Sequence, residues 1–499
     1  MKPIDELKRR LLEIAHLSSA LALLHWDQEV HMPKKGGASR ALVIAELTGL
    51  IHQKLVALDV DRVLTKLQLA VKKGTLKGKD KVIVLETART FERERKLPEA
   101  FVRDMAETIS KAQSVWATAR AQNNFTLFRP WLEKIVALKR KEATYVGYRA
   151  SPYDALLDAF EPDMTTQEAA RILHDLKDFL VSFLKELQSR PQAAKQRLSL
   201  KATFPIAEQK KFNAVLASEI GFDLAAGVIE ESTHPFTTNF HPHDVRFTTR
   251  YRTDDIIHAI GSTIHEAGHG LYEQGLPAEH FGTPLAEAVS LGVHESQSRM
   301  WENMIGKSKP FWRYFYPKLK KQFPEAFGKI TLEDFYHAIN RVTPSLIRTE
   351  ADEVTYNLHI IIRFEIEKEL IEGSIAVRDV PLIWQSKVKE YLGISVKDDA
   401  HGALQDVHWS AGLFGYFPTY TFGNLYAAQF FAAMERELPV TALLAKGTFG
   451  PVREWLRKHI HSHGKRYTAG ALVKKVTGEP LNSRYFADYL KKKYRDIKK

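Results

Sequence analysis

Strand patterning occurs in one short stretch of this 499-residue chain. Segments 234–240 and 245–251 are rich in β-branched and aromatic residues, and His241-Pro242-His243-Asp244 between them is turn-like. The pair predicts an antiparallel hairpin. Elsewhere apolar residues recur at helical spacing, as in Leu7, Leu11, Leu12 and Ile14, and breakers are few across 81–95 and 100–123. A hairpin alone is marginal in water, so this one must lie against helices. The expected fold is mainly α: a helical body with a small antiparallel β element. One core rarely grows beyond ~250–300 residues. Two lobes within one domain, 1–499, are therefore expected, a helical part over 1–230 and a part carrying the hairpin over 231–499.

Composition narrows the functional classes. There is no cysteine, which excludes disulfides, thiol catalysis and cysteine-ligated zinc and suits a reducing cytoplasm. The formal charge is +12, but the surplus sits in short clusters such as Lys491-Lys492-Lys493 and Lys498-Lys499. With no nucleic-acid module in view, these read as solvated surface, and no nucleic-acid partner is expected. Asp5, Glu6 and Glu13 make the first segment an amphipathic helix rather than a signal peptide. Segment 409–434 has no charged residue, yet Pro418, Asn424 and Gln429 interrupt it. A membrane span needs ~20 predominantly apolar residues, so this stretch reads as a buried aromatic loop entering a core helix, and no membrane partner is expected.

The hairpin is followed by a helix with Asp254 and Asp255 at its start and Gly275 and Pro277 at its end. It carries His265-Glu266-Ala267-Gly268-His269. Residues four apart lie on one face, separated by ~6 Å along the axis, so the two imidazoles can bind one tetrahedral metal ion. Glu266 is rotated by roughly 100° and can reach a metal-bound water from the side as general base. Gly268 and Gly270 thin the helix beside the motif. His258, a heptad earlier, is expected near the site or in the core.

A catalytic zinc needs a third protein ligand and an open position. No third histidine follows at the short metzincin spacing. The next helix, expected over 285–303, carries Glu287, Glu295 and Glu302. Glu295 is favoured as the ligand for its mid-helix position. Glu287 and Glu302, near the ends, read as surface charges, and Glu273 lies too far along its own helix.

These blocks resemble the thermostable metallocarboxypeptidase family, the carboxypeptidase Taq-like enzymes. The resemblance rests on His234-Pro235-Phe236, Asp244-Val245-Arg246-Phe247-Thr248, the His265–His269 motif, His294-Glu295-Ser296-Gln297, Ile347-Arg348-Thr349-Glu350-Ala351-Asp352 and Gly402-Ala403-Leu404-Gln405-Asp406-Val407-His408-Trp409. It spans essentially the whole chain. It implies His265, His269 and Glu295 as metal ligands and Glu266 as general base. It also implies a helical body with a deep groove beside a small sheet, as in the gluzincins neurolysin and angiotensin-converting enzyme. Members are typically homodimers using one zinc, or alternatively cobalt, per chain. They release single residues from peptide C-termini with broad specificity.

Other residues carry two readings each. Arg348 either pairs with Asp352 at i,i+4 or grips a substrate carboxylate bidentately, steadied by Glu350 and Asp352. Tyr420 is a core tyrosine or a donor to the tetrahedral oxyanion. His234 and His408 are core histidines or groups that contact substrate or orient ligands. Arg246 positions the hairpin or touches substrate. The hairpin edge itself can align a peptide by main-chain hydrogen bonds. Competing readings are an oligopeptidase or aminopeptidase on the same site, and a basic helical binding protein with an incidental motif.

Overall fold

The computed structural model describes residues 2–190 and 202–496; Lys498 and Lys499 fall outside them. Helices dominate. The first four are α1 (Pro3–Val30), α2 (Gly37–Leu55), α3 (Leu58–Lys72) and α4 (Gly78–Arg95). Apolar residues at i, i+4 and i+7 in α3, namely Val60, Leu64 and Leu67, meet Ile4 and Leu7 of α1 and Ile83, Val84, Ala88 and Phe91 of α4. Among the described residues, Leu285 is the one buried residue from the rest of the chain that joins this small core. A separate, much larger core runs from Ala112 to Tyr494. Helix α2 buries no residue at all. It lies within Lys34–Lys72, a stretch apolar and long enough by composition to cross a membrane, although α2 and α3 are distinct helices.

The β element is a mixed three-stranded sheet rather than a lone hairpin. Strand β1 (Gly227–Glu231) pairs parallel with β3 (Asp244–Thr249), and β2 (Thr237–His241) pairs antiparallel with β3 on its other side. The predicted hairpin is present, joined through Pro242 and His243. Residues 234–236 are not strand but the link from β1 to β2. Central β3 is the buried strand, with Val245, Phe247, Thr248 and Thr249 inaccessible. Phe247 packs edge-on against Phe222.

Two helices follow. The motif helix spans Ile256–Gly275, with the Asp255 side chain accepting a hydrogen bond from the backbone N–H of His258. The expected 285–303 helix is shorter, Leu291–Arg299, because Ser290 caps it; it then runs on as a π-helical turn, Met300–Gly306. The two helices touch at Gly268, where a Cβ would lie 2.8 Å from Ser298 Cα. The uncharged 409–434 segment becomes the buried helix Pro418–Glu437, as expected. Its Gly423 packs on Glu295, where a Cβ would meet the glutamate side chain. The glutamate helix is thus wedged between two helices at contacts that only glycine permits.

Candidate metal centre

One turn of the motif helix sets His265 and His269 side by side, ring centres 4.9 Å apart. Glu295 Oε2 lies 3.9 Å from His265 Nε2 and 3.4 Å from His269 Nε2. Ligand bonds of ~2.0–2.1 Å put tetrahedral ligand atoms roughly 3.3 Å apart, so the donor set fits one small divalent ion with little adjustment. Among the described residues this is the one cluster of its kind, all three ligating atoms lying within 4.8 Å of one another. Two of the three protonation states suit it; burial works to lower His265, but Glu295 and Glu302 beside it raise it above its ordinary value. Burial and neighbouring His294 push His269 down to about 3, which keeps it neutral. Burial works to raise Glu295, but Arg299 and His265 overcome it and hold the carboxyl well below its usual range. Arg299 Nε donates to Glu295 Oε1 at 2.6 Å, while Oε2, which accepts a longer 3.3 Å bond from Ser298 Oγ, faces the two histidines.

The rival carboxylates have other partners. Glu302, read from the sequence as a surface charge, is half-buried and meets His265 Nδ1 at 2.8 Å, fixing the ring so that Nε2 faces the ligand cluster. The signal was available: Glu302 follows Glu295 by a heptad and so shares its face. Glu273 accepts from His294 Nε2 at 2.8 Å and from Asn239. Glu287 lies before the helix, exposed and paired with Lys465. His258 is exposed in the first turn of the motif helix rather than in the core. His294 stacks on His269, ring centres 4.4 Å apart.

Glu266 is buried, and burial raises its pKa above the ordinary carboxyl value. Its Oε2 accepts a hydrogen bond from Thr237 Oγ1 at 2.7 Å.

The sequence pattern of the carboxypeptidase Taq (M32) metallopeptidases matches residues 6–494. The chain belongs to the M32 metallopeptidase family. It is 43% identical over 493 residues to thermostable carboxypeptidase 1 of Thermus thermophilus, covering 97% of this chain and 96% of that one. It is 41% identical to carboxypeptidase 1 of Bacillus subtilis, covering 99% and 97%. The crystal structure of the M32 carboxypeptidase from Deinococcus radiodurans superposes with a TM-score of 0.96 at 36% identity, covering 100% of this chain and 99% of that one. The protein is thus a metallocarboxypeptidase, a hydrolase that depends on a divalent metal.

In this M32 carboxypeptidase three of the residues singled out from the sequence form one cluster. Arg348 sits in a short 3₁₀ turn, so no helical pair with Asp352 forms. Its fork is held by Asp406, whose Oδ1 accepts from Nε at 3.0 Å and from Nη2 at 2.8 Å. Asp406 Oδ2 accepts from Arg363 Nε at 2.7 Å. The expected supports do not serve: Asp352 binds the backbone N–H groups of Thr343, Val354 and Thr355, and Glu350 is exposed. Asp406 lies in the sequence block Gly402–Trp409, and only the fold brings it to Arg348. The Arg348 guanidinium lies over the Tyr420 ring at 5.2 Å, and the Tyr420 hydroxyl is 3.2 Å from His408 Nε2. Burial, reinforced by Arg348, pushes His408 down to about 3, so it is neutral.

Tyr356, which the sequence did not single out, joins this cluster to the candidate metal ligands. Its hydroxyl accepts from Arg348 Nη1 at 3.1 Å, while Arg299 lies over its ring at 4.3 Å and binds Glu295. The other two residues sit apart. Arg246 is paired with Asp244 at 2.8 and 3.0 Å and sandwiched between Trp26 and Phe240, tying α1 to the sheet. His234 is exposed in the link before β2.

Proposed function

We propose that this carboxypeptidase releases single residues from free peptide C-termini with broad specificity, using one zinc or cobalt ion per chain. His265, His269 and Glu295 would hold the divalent ion, which when bound would supply Lewis acidity toward the scissile carbonyl and a lowered pKa for water. Glu266 accepts the water's proton and passes it to the leaving amine. Tyr420 offers its hydroxyl to the oxyanion that develops on the carbonyl. The peptide lies along the outer edge of β2, where main-chain hydrogen bonds accept any side chain. The Phe240 carbonyl on that edge already accepts from Ser19 at 2.6 Å, so the free edge is nearer Thr237.

The observation that carries the reading is Arg348. A guanidinium fixed by Asp406 and Tyr356, one aromatic ring from the candidate ligands, rewards a terminal carboxylate with a charge-assisted hydrogen bond that the neutral amide of a continuing chain does not match. In Arg348→Ala, cleavage of a peptide with a free C-terminus falls by a factor of hundreds, whereas slow cleavage of its C-terminally amidated twin changes little. Equal losses on both peptides would make Arg348 structural and remove it as the carboxylate-binding group.

The absence of cysteine supports a cytoplasmic setting. The unburied apolar face of α2 supports a homodimer, since patches of this kind mark contact surfaces.

A further inference from the structure

Glu266 has to bind a proton, hold it and release it in the right direction, yet the last torsion of a glutamate side chain is broad and does not aim the carboxylate by itself. One group in the structure does aim it. Thr237, the first residue of β2, places Oγ1 2.7 Å from Glu266 Oε2 and 3.0 Å from the backbone carbonyl of the same residue. That hydroxyl is fixed by the sheet. Thr237 pairs with Phe247 on buried β3, and its neighbour Phe236 is locked in both directions: Thr248 N donates to the Phe236 carbonyl at 2.9 Å, and Phe236 N donates to Thr248 Oγ1 at 3.1 Å. Two residues on, and on the same face of the strand, Asn239 donates to Glu273, which in turn holds His294 against His269. Strand β2 therefore grips the motif helix at two points, and one of them is the carboxylate that does the chemistry.

We propose that Thr237 is a positioning residue for the reaction: its hydroxyl holds Oε2 of Glu266 so that Oε1 faces the attacking water and then the leaving nitrogen. The proton travels from water to Oε1 and from Oε1 to the amine, and Thr237 gains and loses none. A hydroxyl suits this task better than a backbone N–H or a cation. It donates to Oε2 while Glu266 is an anion and can turn to the backbone carbonyl, which is also in reach, once Glu266 carries the proton. Neither state of the carboxyl is then locked.

The inference rests on Glu266 being the proton carrier, and the test separates the two. Thr237→Val keeps the shape and the strand preference but has no hydroxyl; Thr237→Ser keeps the hydroxyl. Steady-state turnover of a free C-terminal peptide is compared for both, beside Glu266→Gln, with metal content and melting temperature measured for each. Thr237→Val is expected to lose roughly tenfold or more in kcat, the worth of one aligned hydrogen bond, with KM within about twofold. Thr237→Ser is expected within about threefold of the parent. Infrared spectra of the metal-free proteins give a readout independent of turnover, and of any change in metal binding or stability. The carboxylate band that disappears in Glu266→Gln should shift in Thr237→Val and stay in place in Thr237→Ser. Parent-like kcat in Thr237→Val, equal losses in Val and Ser, or an unmoved band would each overturn the proposal. Parent-like turnover in Glu266→Gln would instead remove the general-base reading beneath it.

Discussion

At the scale of residues, the metal centre is a shell of paired charges in which each group has one task. Glu295 turns one oxygen toward His265 and His269, where it could hold the ion, and gives the other to Arg299, and Arg299 also reaches Glu302, which orients His265. Removing the outer carboxylate tests this division of labour. Glu302→Gln should weaken divalent-metal affinity ~10–100-fold and leave the fold intact, as read by titration of the metal-free protein; unchanged affinity would mean that His265 needs no such partner. The closeness of His265, Glu266 and His269 was legible in the sequence because helix geometry turns spacing directly into proximity; Glu295, on another helix, was favoured only for its mid-helix position and by the resemblance, and the fold brings it to 3.4 Å from His269. Asp406, Tyr356 and Thr237 were not legible. Each meets its partner across at least 8 positions of chain, and in two cases across 29 or more, through contacts that local periodicity does not encode.

At the scale of elements, the glutamate helix decides where the third ligand sits. Glu161, buried beyond its N-terminus, accepts from Ser290 Oγ at 3.1 Å and from Gly292 N at 3.1 Å on that helix, and from the Tyr426 hydroxyl at 2.9 Å. Burial raises its pKa from 4.5 to about 7. A carboxyl raised by folding contributes stability that is complete below its unfolded value and is lost as pH climbs through the folded value. Glu161→Gln should therefore lose less melting temperature than the parent between pH 4.5 and about 7, with Glu367, also raised to about 7, supplying the slope that remains. Identical slopes would show that Glu161 does not titrate in this range. The helix contact at Gly268 is a second handle. A methyl there has backbone on the facing side and cannot be absorbed by a flexible side chain. Gly268→Ala should cost ~1–3 kcal/mol in denaturant unfolding and weaken metal binding with it; a parent-like midpoint would contradict the close approach. Much of this architecture was legible: the hairpin, the motif helix with its caps and the buried helix after Pro418 all follow from local pattern. Strand β1 was not, because Gly227-Val228-Ile229-Glu230-Glu231 is short and ends in two acids. It becomes a strand only by pairing with β3.

At the scale of the whole molecule, the small core of α1, α3 and α4 stands beside a much larger one, and α2 rests its apolar side chains on neither. Leu42 is 74% exposed, and Val43 and Leu50 are also open. If that face joins two copies, the doubly charged variant Leu42→Glu/Leu50→Glu should sediment as a monomer with its metal retained while the parent sediments as a dimer. A monomeric parent would refute the homodimer. Charge was read less well than hydrophobicity. Of the Lys491-Lys492-Lys493 cluster expected on the surface, Lys493 is buried against Glu353 at 2.6 Å, because α-helical rotation sends one residue in three or four inward even from a run of like charge. The whole arrangement of sheet, motif helix, glutamate helix and Arg348 cluster has a purpose only if His265, His269 and Glu295 together hold one catalytic ion. Metal per chain, measured by elemental mass spectrometry on the parent and on Glu295→Ala after the same dialysis, tests that most directly. The expected result is close to one zinc or cobalt in the parent and almost none in the variant; near-stoichiometric metal in Glu295→Ala would contradict the assignment.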